Sequence, residues 1–272
     1  MRTAAAAREI ASRTLNHLLR RVAATPAEDA PFSHVYLENA LPPDVYWALL
    51  DHLPDPSLYG TAAERHRDEG GGYVRTRLEL TTAALDQLPA SVRALWRGVA
   101  AALTAPELKR AVFARLARDL AYRYRVAEGE VAELDGYARP TLYRETEGFE
   151  IPPHPDTRKK VVTMHLYLPA DLSQLGLGTA LYRRRPLAAP VGDWRRRFVV
   201  ARQFAFRPNS GYAFVVNNTL WKRSWHGRER LPEGAGVRNT LLNTFYSEPR
   251  DEFTGYLPDE PAGDAVPLRR AA

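Results

Sequence analysis

Two histidines, an aspartate and an arginine are the residues whose types and spacing best suit chemistry: His154-Pro155-Asp156, then His226, then Arg238. Two imidazoles and one carboxylate are the set that holds non-haem Fe(II) on one face and leaves other coordination positions open. Residues i and i+2 of a strand point the same way, so His154 and Asp156 can aim at one ion from one strand end. Pro155 lacks an N–H, and Pro152 and Pro153 keep the backbone extended, as at an edge where pairing stops. His226 follows Asp156 by seventy residues, a spacing for strands joined in a barrel rather than a local clip. Arg238, twelve residues later, offers a planar guanidinium to an acidic cosubstrate.

These residues need strands to position them. His226 ends a β-like run from Lys222, residues 231–236 read as a turn, and Val237–Tyr246 reads as a second run. His226 and Arg238 have equal parity about Pro232, so a hairpin of even register puts both on the inward face. Gly234 and Gly236 are where a bulge could shift that register. An H-x-D triplet alone is a weak signal, and a lone strand histidine is more often a core residue than a ligand. The ordered set of strand, H-x-D, histidine, turn and arginine is far more specific. His17, His34, His52 and His66 lack carboxylate spacing and read as packing or surface residues. His165 alternates with Thr163 and Tyr167 on a face that lines a pocket or is absorbed in the core.

The elements divide by texture. Residues 1–130 read mainly helical, with short strands at 34–37 and 73–80. Helices are expected at 45–53, 90–104 and 106–124, the last marked by Leu108, Val112, Leu116, Leu120 and Tyr124. Residues 131–250 alternate β runs with Gly/Pro turns: 140–146, 161–168, 178–183, 202–206, 212–217, 222–226 and 237–246. Many short strands argue a sandwich or barrel. The fold class is α+β, one domain with a helical N-terminal layer buttressing an antiparallel β core; the proline-bearing stretch 251–272 is an irregular tail.

Composition narrows the functions. No cysteine excludes disulfides, zinc–thiolate sites, iron–sulfur clusters and thiol nucleophiles, and suits a reducing cytosol. No apolar run approaches the roughly 20 residues of a membrane span. The Ala- and Arg-rich N-terminus resembles a transit peptide, but 34 of the 38 basic residues are Arg, so the bias is global and an ordinary helix is expected. The whole +6 charge sits in residues 181–202, seven arginines against Asp193. Such a patch draws anionic substrates, an acidic carrier or nucleic acid, or is simply solvated. Nucleic acid is disfavoured, since only Trp194 and Phe198 interleave with the arginines.

The region 138–247 resembles the Fe(II)/2-oxoglutarate-dependent dioxygenase superfamily. The resemblance is carried by Tyr143, His154-Pro155-Asp156, Leu166-Tyr167-Leu168-Pro169, Gly178-Thr179, Pro208-Asn209-Ser210-Gly211, His226-Gly227 and Arg238-Asn239-Thr240. Thr179, Pro169 and Thr240 depart from the family's frequent Gly, Asn and Ser. The resemblance implies a double-stranded β-helix (jelly-roll, cupin-like) core. It implies that His154, Asp156 and His226 hold iron, and that Arg238 with Thr240 receives the distal carboxylate of 2-oxoglutarate, Tyr143 or Tyr167 adding a phenol.

With O2, the implied reaction decarboxylates the 2-oxo acid to succinate and CO2 and oxidises an unactivated C–H bond. Related halogenases lack the carboxylate ligand, so Asp156 favours hydroxylation, or desaturation or ring formation by the same oxidant. The expected substrate is a small, anionic or carboxylated metabolite met by Trp225 and Arg183, with Trp221 as a further pocket wall, in a bacterial cytoplasmic enzyme. The rival readings are an oxygenase of a protein, carrier-bound or nucleic-acid substrate, and a jelly-roll binding protein without turnover. Sequence alone assigns no oligomeric state.

Overall fold

From Tyr137 onward the chain passes back and forth between two antiparallel sheets. The computed structural model describes residues 2–62, 72–186 and 192–257. The larger sheet has the order β1 (His34–Glu38), β9 (Ser210–Val215), β6 (Lys160–Tyr167), β11 (Arg238–Tyr246), β4 (Tyr137–Glu145), β3 (Arg75–Glu79) and β2 (Gly60–Thr61). The smaller has the order β5 (Ile151–His154), β10 (His226–Arg228), β7 (Ala180–Arg184) and β8 (Phe198–Gln203). After β4, every connection except β7–β8 changes sheet, which gives the interleaved order of a jelly roll.

Both faces of the larger sheet are covered, and strand alternation sorts their side chains. Leu142 pairs with Leu78 and Leu241, and Leu241 pairs with Leu166; all four bury outward, against the helices. The intervening residues form rungs on the inner face. One rung is Arg75–Glu145–Arg238, the next includes Tyr143–Thr240–Tyr167, and a third is Leu242–His165–Tyr212. A polar inner face against an apolar outer one locates the site between the sheets.

The helical layer comprises α1 (Arg2–Ala24), α2 (Pro43–Asp51), α3 (Thr82–Asp86), α4 (Ala90–Thr104), α5 (Pro106–Arg115) and α6 (Ala117–Tyr124). Leu18 and Val22 of α1, Trp96, Val99 and Leu103 of α4, and Leu108, Val112 and Leu120 join the outward leucines in one buried cluster. Each such side chain contributes roughly 1.5–3 kcal/mol by leaving water. A Cβ at Gly98 would stand 2.7 Å from the Ala7 carbonyl oxygen, so only glycine admits this close crossing of α1 and α4. None of the described helices is long and apolar enough to cross a membrane.

Four expectations are corrected. Residue 130 does not bound the β core, because β1, β2 and β3 join the larger sheet. The helix expected over 106–124 breaks at Leu116 (φ −104°, ψ 26°), although the apolar face stays buried across the break. The run 222–226 is not a strand: β10 begins at His226, and residues 218–223 turn back through an Asn218–Arg223 bridge. Most consequentially, β10 and β11 form no hairpin. β10 pairs with β5 and β7, β11 pairs with β4 and β6, and residues 229–237 cross from one sheet to the other. His226 and Arg238 still share an interior, because the inner faces of both sheets look into it.

Beyond Tyr246, Phe253 and Tyr256 return to the helical core, and the Tyr256 hydroxyl donates to the Leu80 carbonyl at 2.6 Å. His66, Pro258, Pro261 and Pro267 lie outside the described residues.

Asp119 of α6 ties this layer to the sheets. Fully buried, it accepts from the Ser33 N–H (3.0 Å), the Asn217 side-chain amide (2.9 Å) and the Lys222 ammonium. Removing one partner of a buried ion pair strands the other groups. Asp119→Ala should therefore lose about 3 kcal/mol in urea unfolding; a loss below about 1 kcal/mol, the scale of an exposed pair, would show that the anchor is idle.

Candidate metal centre

The two strands that carry the histidines meet at one rung. His226, the first residue of β10, pairs directly with His154, the last of β5, and their ring centroids lie 4.4 Å apart. Asp156 follows β5 by two residues. One ligand atom from each of the three lies within 4.8 Å of the others. His154 Nε2 is 3.8 Å from Asp156 Oδ1, and His226 Nε2 is 3.6 Å from Oδ2.

The surroundings fix both rings. His154 Nδ1 donates to the Pro152 carbonyl at 3.1 Å, and His226 Nδ1 to the Ser224 carbonyl at 2.9 Å. Each Nε2 lone pair is thereby aimed at the carboxylate, the orienting device of metal-binding histidines. Asp156 is oriented by the Lys160 ammonium on Oδ1 (2.7 Å) and the Thr163 hydroxyl on Oδ2 (3.1 Å). Ser224 is held in turn: its hydroxyl donates to the Val215 carbonyl (2.5 Å) and accepts from the Asn217 N–H (2.9 Å).

Electrostatics leave the trio in its ligating form. Burial pushes the His226 imidazole down to about 4, against the opposing pull of Asp156. Burial also lowers His154, with Asp156 again opposing. For Asp156, burial alone would raise the carboxyl, but His226, Lys160 and His154 outweigh it and hold it well below its ordinary range. Neutral imidazoles beside a carboxylate are the state a divalent cation binds.

Gly227 lets β10 approach β5. A Cβ there would lie 2.5 Å from the Ile151 carbonyl oxygen and 3.1 Å from Pro153 N, both backbone atoms. Gly227→Ala should force the strands apart, costing about 1–3 kcal/mol of stability and weakening metal binding about tenfold or more as the His154–His226 rung opens. Thermal melting and metal titration of the variant check both effects; unchanged values in both would mean that the rung absorbs the methyl group.

The trio lines a small cleft, open to solvent, with a cavity volume of about 100 Å³. Guanidinium groups gather along it. Arg238, 1 % exposed, pairs with the Glu145 carboxylate and donates through Nε to the Leu177 carbonyl at 2.9 Å. Arg228 donates to that same carbonyl through Nη1 at 2.9 Å, and its Nε stands 4.0 Å from Glu145. Arg75 Nε lies 3.1 Å from the other Glu145 oxygen. Burial alone would raise Glu145, but Arg238, Arg75 and Arg228 overcome it and lower the carboxyl. Burial and the neighbouring Arg238 push Arg228 down to about 9. Nη2 of Arg238, Nε and Nη2 of Arg228, and Oγ1 of Thr240 find no hydrogen-bond partner among the described residues. Buried donors without acceptors mark a place for an oxyanion.

The remaining sequence candidates separate. Tyr143 lines the cleft under the Arg75 guanidinium, 4.1 Å from its ring centroid. Thr240 is fully buried beside Tyr143 in the register and, like Tyr167, does not itself line the cleft. Tyr167 does not line the cleft; its hydroxyl accepts from the Thr179 N–H at 2.9 Å, and its ring packs against Phe206 beneath Arg238. Trp225 packs on Phe198 with centroids 4.8 Å apart, Arg183 is exposed, and Trp221 is 87 % exposed; none lines the cleft. His165 does line it. Its Nδ1 donates to the Tyr212 hydroxyl (2.9 Å), which donates to Thr179 Oγ1 (3.0 Å), leaving Nε2 without a partner.

Sequence reasoning missed Arg75, Glu145, Lys160 and Arg228. Parity offered a signal for two of them: Glu145 is i+2 from Tyr143, and Arg228 is i+2 from His226.

Fold and site together define a jelly roll with a two-histidine, one-carboxylate cluster suited to a metal ion. No protein-family model and no curated protein matches the chain. Solved structures of similar fold do exist. A prolyl-4-hydroxylase of Pseudomonas putida matches at 14% identity and a TM-score of 0.49, over 86% of this chain and 99% of its own. A Trichoplax adhaerens prolyl hydroxylase, in complex with a hypoxia inducible factor peptide fragment, matches at 11% and 0.48, over 90% and 93%. HygX of Streptomyces hygroscopicus, with nickel and 2-oxoglutarate bound, matches at 11% and 0.42, over 78% and 82%. Identities this low and TM-scores below 0.5 add no weight of their own; the jelly roll stands on the strand order and register above.

Proposed function

We propose that the protein is an Fe(II)- and 2-oxoglutarate-dependent oxygenase that hydroxylates an unactivated C–H bond of a small molecule. The convergence of His154, Asp156 and His226, with both Nε2 atoms aimed at the carboxylate, carries this reading. These three residues hold the metal, and three protein ligands leave the rest of its coordination sphere open. Together, iron, the 2-oxo acid and O2 supply an oxidant strong enough for a C–H bond, with succinate and CO2 as co-products.

The chain's own groups do the remainder. Nη2 of Arg238 and the hydroxyl of Thr240 receive the distal carboxylate of the cosubstrate, both being buried donors in need of an acceptor. Tyr143 flanks them across the β4–β11 rung. His165, Tyr212 and Thr179 form a hydrogen-bonded wall of the cleft, and Phe149 and Ile151 keep water from part of it.

Anaerobic titration with Fe(II) and 2-oxoglutarate tests the proposal. One equivalent of each should produce the weak visible charge-transfer band of a 2-oxo acid chelated to iron, and admitting O2 should release succinate. A jelly-roll binding protein without turnover gives neither, even against a broad substrate panel, and that outcome would discard the enzyme reading.

A further inference from the structure

Four cationic side chains line the cleft, Arg75, Lys160, Arg228 and Arg238, against two carboxylates, Asp156 and Glu145. The excess is two positive charges. A divalent metal and a doubly charged 2-oxo acid cancel each other, so that excess survives when both are bound. Cations this far from water are costly without counter-charge or acceptors. Lys160 is spent on Asp156 and Arg238 on Glu145. Glu145 also lies 3.1 Å from Arg75 and 4.0 Å from Arg228, so the excess is spread over these three guanidinium groups; with Arg238 assigned to the cosubstrate, Arg75 and Arg228 are the two left for another acid.

Both guanidinium groups are held ready. Arg228 is 4 % exposed, its Nη1 is anchored to the Leu177 carbonyl, and its Nε and Nη2 lack acceptors. Arg75 is braced over the Tyr143 ring at 4.1 Å and the Phe149 ring at 5.0 Å, and it is the more exposed of the pair. They reach the cleft from opposite sheets, β3 and β10, with Glu145 between them. By contrast, none of the arginines at 183–185 and 195–197 lines the cleft.

We infer that Arg75 and Arg228 form a carboxylate-binding subsite for the primary substrate, which is a small organic acid. This rests on the oxygenase reading and names its substrate class. A planar carboxylate suits the fork of a guanidinium, and a charged group seated beside His226 would bring the adjoining carbon chain to the metal.

The test uses the anaerobic protein loaded with Fe(II) and 2-oxoglutarate, the visible band reporting loading. Propionate, hexanoate and octanoate, each paired with its primary amide, are titrated calorimetrically. At least one acid should bind saturably, with its amide more than about tenfold weaker. Arg75→Gln and Arg228→Gln should each weaken that acid about tenfold or more, while the 2-oxoglutarate concentration that gives the half-maximal band stays near the wild-type value. Arg75→Lys and Arg228→Lys, which keep the charge, should lie in between; should a glutamine variant fail to melt cooperatively, its lysine counterpart decides.

Absent acid binding, equal binding of acid and amide, or acid binding indifferent to both arginines each overturns the subsite. So does a loss of 2-oxoglutarate affinity as large as that of Arg238→Gln, which would assign both arginines to the cosubstrate. Failure of the wild-type band is a separate result: it removes the oxygenase reading, and the subsite that rests on it.

Discussion

Replacing His226 by alanine is expected to lower Fe(II) affinity by more than about 100-fold and to leave the fold intact. Perturbing only the groups that orient a metal ligand typically costs 10–100-fold, so deleting the ligand must exceed that. His226 is 7 % exposed, and its one side-chain hydrogen bond runs to the Ser224 carbonyl. Alanine leaves that carbonyl unpaired, at a cost of about 1–3 kcal/mol. The strand pairing of β10 with β5 and β7 involves backbone atoms and persists. His154→Ala should behave alike, since His154 faces His226 across the same rung. His165→Asn is the control: it lines the same cleft but belongs to no ligand cluster, and should bind metal as the wild type does. Equilibrium dialysis under argon measures all three; wild-type affinity in His226→Ala would sink the metal centre.

Arg238→Met should weaken 2-oxoglutarate binding by about 2–5 kcal/mol, more than tenfold, with metal uptake preserved. The guanidinium is nearly inaccessible and stacks 4.4 Å from the Phe206 centroid, so a methionine of similar length fills the volume. What disappears is the charge and the fork. Arg238→Lys should recover only part of the affinity, because an ammonium grips a carboxylate as a point charge.

The same arginine sets an acid limit on stability. Arg238, Arg75 and Arg228 together hold Glu145 below its ordinary value of 4.5, overriding the burial that would raise it. A carboxyl lowered in the folded state contributes stability that is fully present above its unfolded value and is lost as the pH falls through the folded one. Unfolding free energy should thus decline below about pH 4.5, and Glu145→Gln should flatten that decline while lowering stability at pH 7. Urea titrations across pH 3–7 measure the slope; an unchanged slope in Glu145→Gln would place the acid sensitivity elsewhere.

Much of this was legible beforehand because it is local. The i, i+2 relation of His154 and Asp156 needs only an extended backbone, and Pro152, Pro153 and Pro155 impose one. The apolar period of Leu108, Val112, Leu116 and Leu120 located a buried helical face even though the helix breaks at Leu116. The expected hairpin failed for the converse reason. Nine residues, 229–237, are compatible with a turn and with a crossing to another sheet, and the choice depends on which strands β10 and β11 find as partners. Trp225 and Arg183 were drawn in by their neighbourhood in sequence, yet an aromatic against Phe198 and an arginine in solvent lie away from the cleft.

Residue types and short spacing by themselves pointed to a candidate metal-ligand set, a cation suited to an acid and a sandwich or barrel of short strands, because side-chain chemistry and the two-residue period of a strand are properties of the chain. Tertiary structure alone decided that His226 faces His154, and that Glu145 lies among Arg75, Arg228 and Arg238. Strand period says which residues share a face, but not which strand lies alongside or which sheet packs opposite. Those pairings bring together groups far apart in sequence, and they determine which charges the cleft leaves uncompensated.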